Sequence, residues 1–202
     1  DIYVLEVNPR ASRTVPFIAK ACGLSLAKIA ARTMVGDTLK AQGHIKETIP
    51  PYYAVKKPVF PFNKFLGVDP ILGPEMRSTG EVMGIDQDLG LAFSKAHKAT
   101  GDLLPKGGCA FVSVRDADKA SAVSLAKTLI KHNFTILTTR GTAHVFAQAG
   151  IACDLVNKVT EARPHIVDRI KNGDIQFIVN TTQGEQAIKD SVEIRKSAVT
   201  GK

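Results

Sequence analysis

Two hard oxygen donors and two guanidinium groups lie close together near the start of the chain: Glu6, Asn8, Arg10 and Arg13. The run at residues 2–7 is aliphatic and β-branched almost throughout, which predicts a buried strand. Side chains on a strand alternate faces, so Glu6 and Asn8 are expected on the same side. Both offer oxygens of the kind Mg²⁺ takes at a phosphate-transfer site. Pro9 breaks the strand, and Ser12 or Thr14 can cap a following helix. Arg10 and Arg13, three apart, would share a face there as a fork for anionic oxygens. The plainer alternative is a simple Asn8-Pro9 turn beside a solvated arginine pair.

A second set of candidate groups falls where strands run into helices. Thr138-Thr139-Arg140-Gly141-Thr142-Ala143 and Asn180-Thr181-Thr182-Gln183-Gly184 each combine hydroxyls with free helix-start amides, where the helix dipole attracts phosphate. The segment 116–119 begins another helix at the same edge, and Lys158 follows a short strand. In open parallel sheets ligands sit at the carboxyl ends of strands. Thr and Gly are also ordinary caps at such ends. Two such loops and two lysines at one edge favour an anion pocket.

The elements that must hold these groups follow from periodicity and punctuation. Helical spacing covers residues 12–22 and 25–35, separated by Gly23 and closed by Gly36. Residues 52–84 show little periodicity and read as an ordered loop pinned by Phe60, Phe62 and Phe65. A helix is expected over 87–100, with Leu91, Phe93, Ala96 and Ala99 inward. Residues 100–108 are rich in Gly and Pro and read as a boundary. Strands at 109–114, 134–138, 155–156 and 177–180 then alternate with helices at 118–132, 142–148, 166–171 and 186–197. Ala122, Leu125, Leu129 and Ile130 face inward on the first of these helices. The alternation implies an α/β fold with a parallel sheet wound on both faces.

Composition narrows the function classes. The chain has 202 residues, 44% of them hydrophobic, enough for one large domain or two small ones. A net charge of +8 permits nucleotide, phosphate or nucleic-acid partners, but the basic residues are dispersed. With 6% aromatic residues and no Trp, base-stacking platforms are scarce, so a nucleic-acid partner is not expected. Cys22, Cys109 and Cys153 lack metal-like spacing and read as buried free thiols in a reducing, cytoplasmic setting. No apolar run has membrane-spanning length and no signal peptide is legible. A chain that starts mid-strand without Met reads as a fragment.

The string Glu6-Val7-Asn8-Pro9-Arg10-Ala11-Ser12-Arg13-Thr14 resembles the closing motif of the second ATP-grasp unit in carbamoyl phosphate synthetase large subunits. The resemblance continues through Pro61-Phe62-Asn63-Lys64-Phe65 and through residues 72–84. It implies that Glu6 and Asn8 bind a catalytic Mg²⁺ or Mn²⁺. Glu6 would also touch the substrate ATP, and Arg10 and Arg13 would lie near the transferred phosphate or carbamate. Residues 102–202 resemble the methylglyoxal-synthase-like allosteric domain of the same family, in the motifs Ser113-Val114-Arg115, Val156-Asn157-Lys158 and Val179-Asn180-Thr181-Thr182. Carried over by position, Lys119, Thr139, Thr142, Lys158, Asn180, Thr182 and Ser191 would bind a nucleotide effector, UMP or IMP. The expected organisation is 1–101 as the end of an ATP-grasp domain and 102–202 as an effector domain truncated at its C-terminus.

The resemblance further implies a glutamine-hydrolysing, ATP-dependent carbon–nitrogen ligase of pyrimidine and arginine biosynthesis. Its partner would be a glutaminase small subunit, within a larger oligomer of heterodimers, and this stretch alone would be inactive. Three departures stand out. Arg140 occupies a position where histidine is usual, and Glu185-Gln186 replaces an Arg-Arg pair, making the pocket less positive. Lys57 stands where ornithine-activated members carry a glutamate. Two alternatives are a stand-alone nucleotide-sensing module and a methylglyoxal-synthase-like lyase. The lyase lacks its catalytic Asp-Pro element, because the strand end reads Asn180-Thr181-Thr182-Gln183.

Overall fold

The computed structural model describes every residue except Asp1, Leu5, Leu66, Pro74 and Lys202. The chain divides into two compact units. The first comprises Asp1–Phe60 and Leu72–Leu103, and the second Pro61–Ile71 and Leu104–Lys202. The second unit is therefore discontinuous in sequence: it takes in residues 61–71, which the sequence reading groups with the first part.

In the first unit, α1 (Thr14–Cys22) and α2 (Leu26–Met34) are followed by β1 (Tyr53–Val59), β2 (Gly80–Asp86) and α3 (Leu89–Ala99). The strands β1 and β2 form an antiparallel pair, Tyr53 opposite Asp86 and Val59 opposite Gly80. Residues 52–84 thus hold two strands where a loop is expected. Lys56, Lys57 and Pro58 hide β1, since they interrupt the apolar alternation. Pro58 is tolerated because each strand of a two-stranded sheet is an edge. The helix α3 packs on this pair through Ala92 and Ala96, both fully buried, while Leu91 and Phe93 are exposed. Gly84 explains the choice of small residues. A Cβ there would stand 2.0 Å from the carbonyl oxygen of Ala92 and 2.5 Å from the amide nitrogen of Ala96.

The predicted strand at residues 2–7 is not formed. Ile2, Tyr3, Val4 and Val7 are exposed, and no described strand pairs with them. A strand without a neighbour leaves its backbone donors and acceptors to water, and the described residues of the run take no regular secondary structure.

The second unit alternates as the sequence implies: β3 (Gly108–Ser113), α4 (Lys119–Lys131), β4 (Phe134–Thr138), α5 (Arg140–Gln148), β5 (Asp154–Leu155), α6 (Ile166–Lys171), β6 (Phe177–Asn180) and α7 (Glu185–Thr200). The sheet is parallel in the order β5-β4-β3-β6, so the strand order reverses at β3. Ala110, Val112, Phe134, Ile136 and Phe146 build the core on one face. Phe111, Leu137, Ile166, Ile170 and Ile194 build it on the other. On α4 the buried side chains are Ala122, Ala126 and Leu129, whereas Ile130 is exposed. The three cysteines are free and half-buried rather than fully buried.

Candidate functional site

The carboxyl ends of β3, β4 and β6 open into a cleft of about 730 Å³ within the second unit. Such a crevice is expected where the strand order of an open parallel sheet reverses. Ser113, Thr139 and Asn180 stand at the three strand ends, and Ser113 pairs with Asn180 in the sheet register. The β4 end is fixed from below: buried Thr138 donates its hydroxyl to the carbonyl of Val112 at 2.6 Å. Thr139 and Ser113 share a hydroxyl hydrogen bond of 2.9 Å. Thr142, 2% exposed, accepts the amide of Val114 at 3.3 Å. Among the described residues its own proton has no acceptor and can meet an anionic oxygen.

Two helix starts face the cleft. The helix α5 begins two residues earlier than expected, with Thr139 as its cap, so the amides of Arg140 and Gly141 belong to the first turn and have no intrahelical acceptor. The start of α7 is set by Gly184, whose φ of 88° is a left-handed conformation that favours glycine. Both starts carry the partial positive charge that suits phosphate.

Three cations line the cleft, two of them paired with aspartates. Lys119 lies close to the first turn of α5, since a Cβ at Gly141 would sit 3.8 Å from its Nζ. Its ammonium is paired with Asp116 at 2.6 Å, which holds that carboxyl below the usual carboxylate range. Arg115 pairs with Asp118 at 2.9 Å. The Asp118 carboxyl is depressed chiefly by the Thr181 hydroxyl and then by Arg115. Lys158 forms no ion pair among the described residues; its loop is tied by its backbone N–H to Glu161 at 2.9 Å. Glu161, Glu185 and Asp190 also line the cleft, so its field is mixed rather than strongly positive.

The structure thus brings Lys119, Thr139, Thr142, Lys158, Asn180 and Thr182 to one cleft. Ser191 is not on its wall; it is buried behind Asn180 and accepts from the Asn180 amide at 3.1 Å. Ser113 and Thr181 also line the cleft; both belong to motifs at this edge, but neither carries an expected binding role from the sequence. Thr181 accepts the Arg115 amide at 3.1 Å and so joins two strand ends.

The first unit presents the other candidate group. Glu6 and Asn8 lie on one side of an exposed segment, and the Asn8 amide donates to the Glu6 carboxylate at 2.9 Å. Arg10 donates to the neighbouring Ala11 carbonyl at 3.2 Å. No cluster of three or more His, Cys, Asp or Glu occurs among the described residues. The donors fit Mg²⁺ or Mn²⁺ in kind, but two ligands fall short of the roughly six oxygens such an ion needs. No single helix among the described residues is long and apolar enough to cross a membrane.

An open parallel sheet with a polar cleft at its reversal point defines a ligand-binding α/β domain, and sequence comparison assigns its class. Residues 121–202 match the MGS-like domain family, and residues 1–42 match the carbamoyl-phosphate synthase L chain, ATP binding domain. The chain is 59% identical over 198 residues to the carbamoyl phosphate synthase large chain of Xanthomonas campestris pv. campestris, covering 98% of this chain and 18% of that protein. Against the large chain of Pseudomonas syringae pv. tomato it is 57% identical over 202 residues, covering 100% and 19%. Against that of Vibrio cholerae it is 56% identical over 202 residues, with the same coverage. The chain belongs to the carbamoyl phosphate synthase large-chain family and spans about a fifth of the length of these relatives.

Proposed function

We propose that the chain serves an ATP-dependent carbon–nitrogen ligase, a glutamine-hydrolysing carbamoyl phosphate synthase acting in pyrimidine and arginine biosynthesis with a glutaminase small subunit. Residues 102–202 act as its effector domain and residues 1–101 as the end of an ATP-grasp domain. The observation that carries this reading is the cleft, where six hydroxyl, amide and ammonium side chains meet two helix starts. That arrangement suits a nucleoside monophosphate. The amides of α5 and the hydroxyl of Thr142 take the phosphate, Lys119 and Lys158 balance its charge, and Asn180 and Thr182 bind the ribose. UMP and IMP are the candidate effectors.

In the complete enzyme Glu6 and Asn8 contribute to a Mg²⁺ or Mn²⁺ site shared with ATP, and the remaining ligands come from elsewhere in the full-length protein. The metal supplies neutralisation of charge on the transferred phosphoryl group. Arg10 and Arg13 orient the anionic acceptor beside it. These 202 residues alone therefore lack synthetase activity.

Calorimetric titration of the 202-residue chain with UMP and IMP tests the effector reading. Saturable binding by at least one nucleotide, weakened about tenfold or more in Thr142→Val through loss of a charge-assisted hydrogen bond, is the expected result. No binding of either nucleotide refutes it. Lys57 has a consequence of its own, because its ammonium lies 2.6 Å from Nδ1 of His97, on α3. A cationic amino acid meets no carboxylate at that position, so the full enzyme is expected to show no ornithine activation.

A further inference from the structure

Ser191 is 3% exposed, and its hydroxyl accepts from two donors, Nδ2 of Asn180 at 3.1 Å and a terminal nitrogen of Arg195. Arg195 also grips Asp69 through two parallel bonds, Nε to Oδ1 at 2.8 Å and Nη2 to Oδ2 at 2.7 Å. Asp69 in turn accepts the backbone N–H of Ile71 at 3.3 Å. An unbroken chain of hydrogen bonds therefore runs from the cleft wall, through α7, into the 61–71 segment.

The chemistry of the four groups makes this chain directional. A forked guanidinium–carboxylate pair fixes the plane of the arginine. Arginine can only donate, so one lone pair of the Ser191 oxygen is committed to it, and Asn180 takes the other. The orientation of the Asn180 amide thus depends on where Asp69 holds Arg195. One N–H and the carbonyl oxygen of that amide remain for a ligand. Residues 61–71 are bounded on both sides in sequence by residues of the first unit.

We propose that Asp69 and Arg195 are positioning residues for the cleft, and that the Asp69–Arg195–Ser191–Asn180 chain couples occupancy of the cleft to docking of residues 61–71. A ligand that recruits Asn180 selects the arrangement in which all four groups are engaged. By linkage, docking of the segment strengthens ligand binding by the same factor. The coupling to occupancy rests on the nucleotide reading of the cleft; the positioning role does not.

Amide hydrogen exchange at Ile71 in the 202-residue chain separates this from a plain surface clamp. Asn180→Ala and Ser191→Ala leave the Asp69–Arg195 pair in place but cut the chain beyond it. Without any ligand, each is expected to speed Ile71 exchange roughly fivefold, the effect of one lost hydrogen bond. Ser191→Cys, which keeps the volume and weakens the acceptor, gives a smaller change of the same sign and controls for local collapse. Unchanged Ile71 exchange in all three variants overturns the proposal. With UMP added, the wild-type chain is expected to slow at Ile71 and Ser191→Ala to respond less. Binding that leaves Ile71 unaffected in the wild type overturns the coupling. If neither UMP nor IMP binds, the cleft reading falls, and the ligand-free comparison still decides the positioning role.

Discussion

The two units are built from similar lengths of chain but differ in what they bury. Among the described residues, the apolar side chains fully shielded in the first unit are Ala21, Ala92 and Ala96, all small. The second unit shields Phe111, Phe134, Phe146, Leu137 and several isoleucines on both faces of a four-stranded sheet. Their candidate sites differ in step. The hydroxyls and amides of the cleft are held by hydrogen bonds to strand ends anchored in that core. Glu6, Asn8, Arg10 and Arg13 lie on an exposed segment whose side-chain bonds are to immediate neighbours. Polar chemistry is placed accurately only where packing fixes the backbone beneath it.

The largest expected effect tests the core that supports the cleft. Phe146→Ala empties a fully buried ring position and should cost the second unit about 3–5 kcal/mol. Far-UV circular dichroism during denaturation should show it, with nucleotide binding lost in parallel. Next comes the first unit. All three tyrosines, Tyr3, Tyr52 and Tyr53, belong to it, and the chain has no Trp, so tyrosine fluorescence reports on that unit alone. Gly84→Ala drives a methyl into the α3 backbone and should destabilise the first unit by roughly 3 kcal/mol. A fluorescence midpoint unchanged by Gly84→Ala would show that β2 and α3 do not depend on this close approach.

A smaller effect depends on pH. The Arg195 guanidinium beside Asp69 holds its carboxyl below the usual carboxylate range. A carboxyl depressed in the fold contributes stability above its unfolded pKa, about 3.9. That contribution is lost as pH falls through the lower folded value. Protection at Ile71 is therefore expected to be constant from neutrality down to about pH 4 and to fall below it. Asp69→Asn should remove that pH dependence. The smallest effect concerns Asp116. Asp116→Asn frees Lys119 from its pair and should tighten UMP binding no more than about fivefold, because the lost carboxylate is exposed.

The second unit was legible because three of its four strands, β3, β4 and β6, are short apolar runs closed by turn residues. The bounds of β4, α6 and β6 follow directly from Phe134–Thr138, Ile166–Lys171 and Phe177–Asn180. The first unit was harder to read for three physical reasons. The β1 strand carries Lys56, Lys57 and Pro58, which no alternation template accepts. Residues 2–7 carry a strong strand signal, yet among the described residues they have no partner strand. On α3, hydrophobicity points to Leu91 and Phe93, but the space left by Gly84 admits only Ala92 and Ala96. The cleft was visible as two Thr- and Gly-containing strand ends. Asp69 was not, since nothing local marks a carboxylate whose arginine lies 126 positions away.

The discontinuity of the second unit also bears on how the chain is made. During synthesis Asp69 is released long before Arg195, so the segment 61–71 must wait, undocked, until α7 is complete. Domains fold largely as they are released, N-terminal parts first. Of the two units the second therefore completes its contacts later, when α7 closes the guanidinium–carboxylate pair. An excised domain beginning near residue 104 would fold its sheet yet leave Arg195 without its carboxylate.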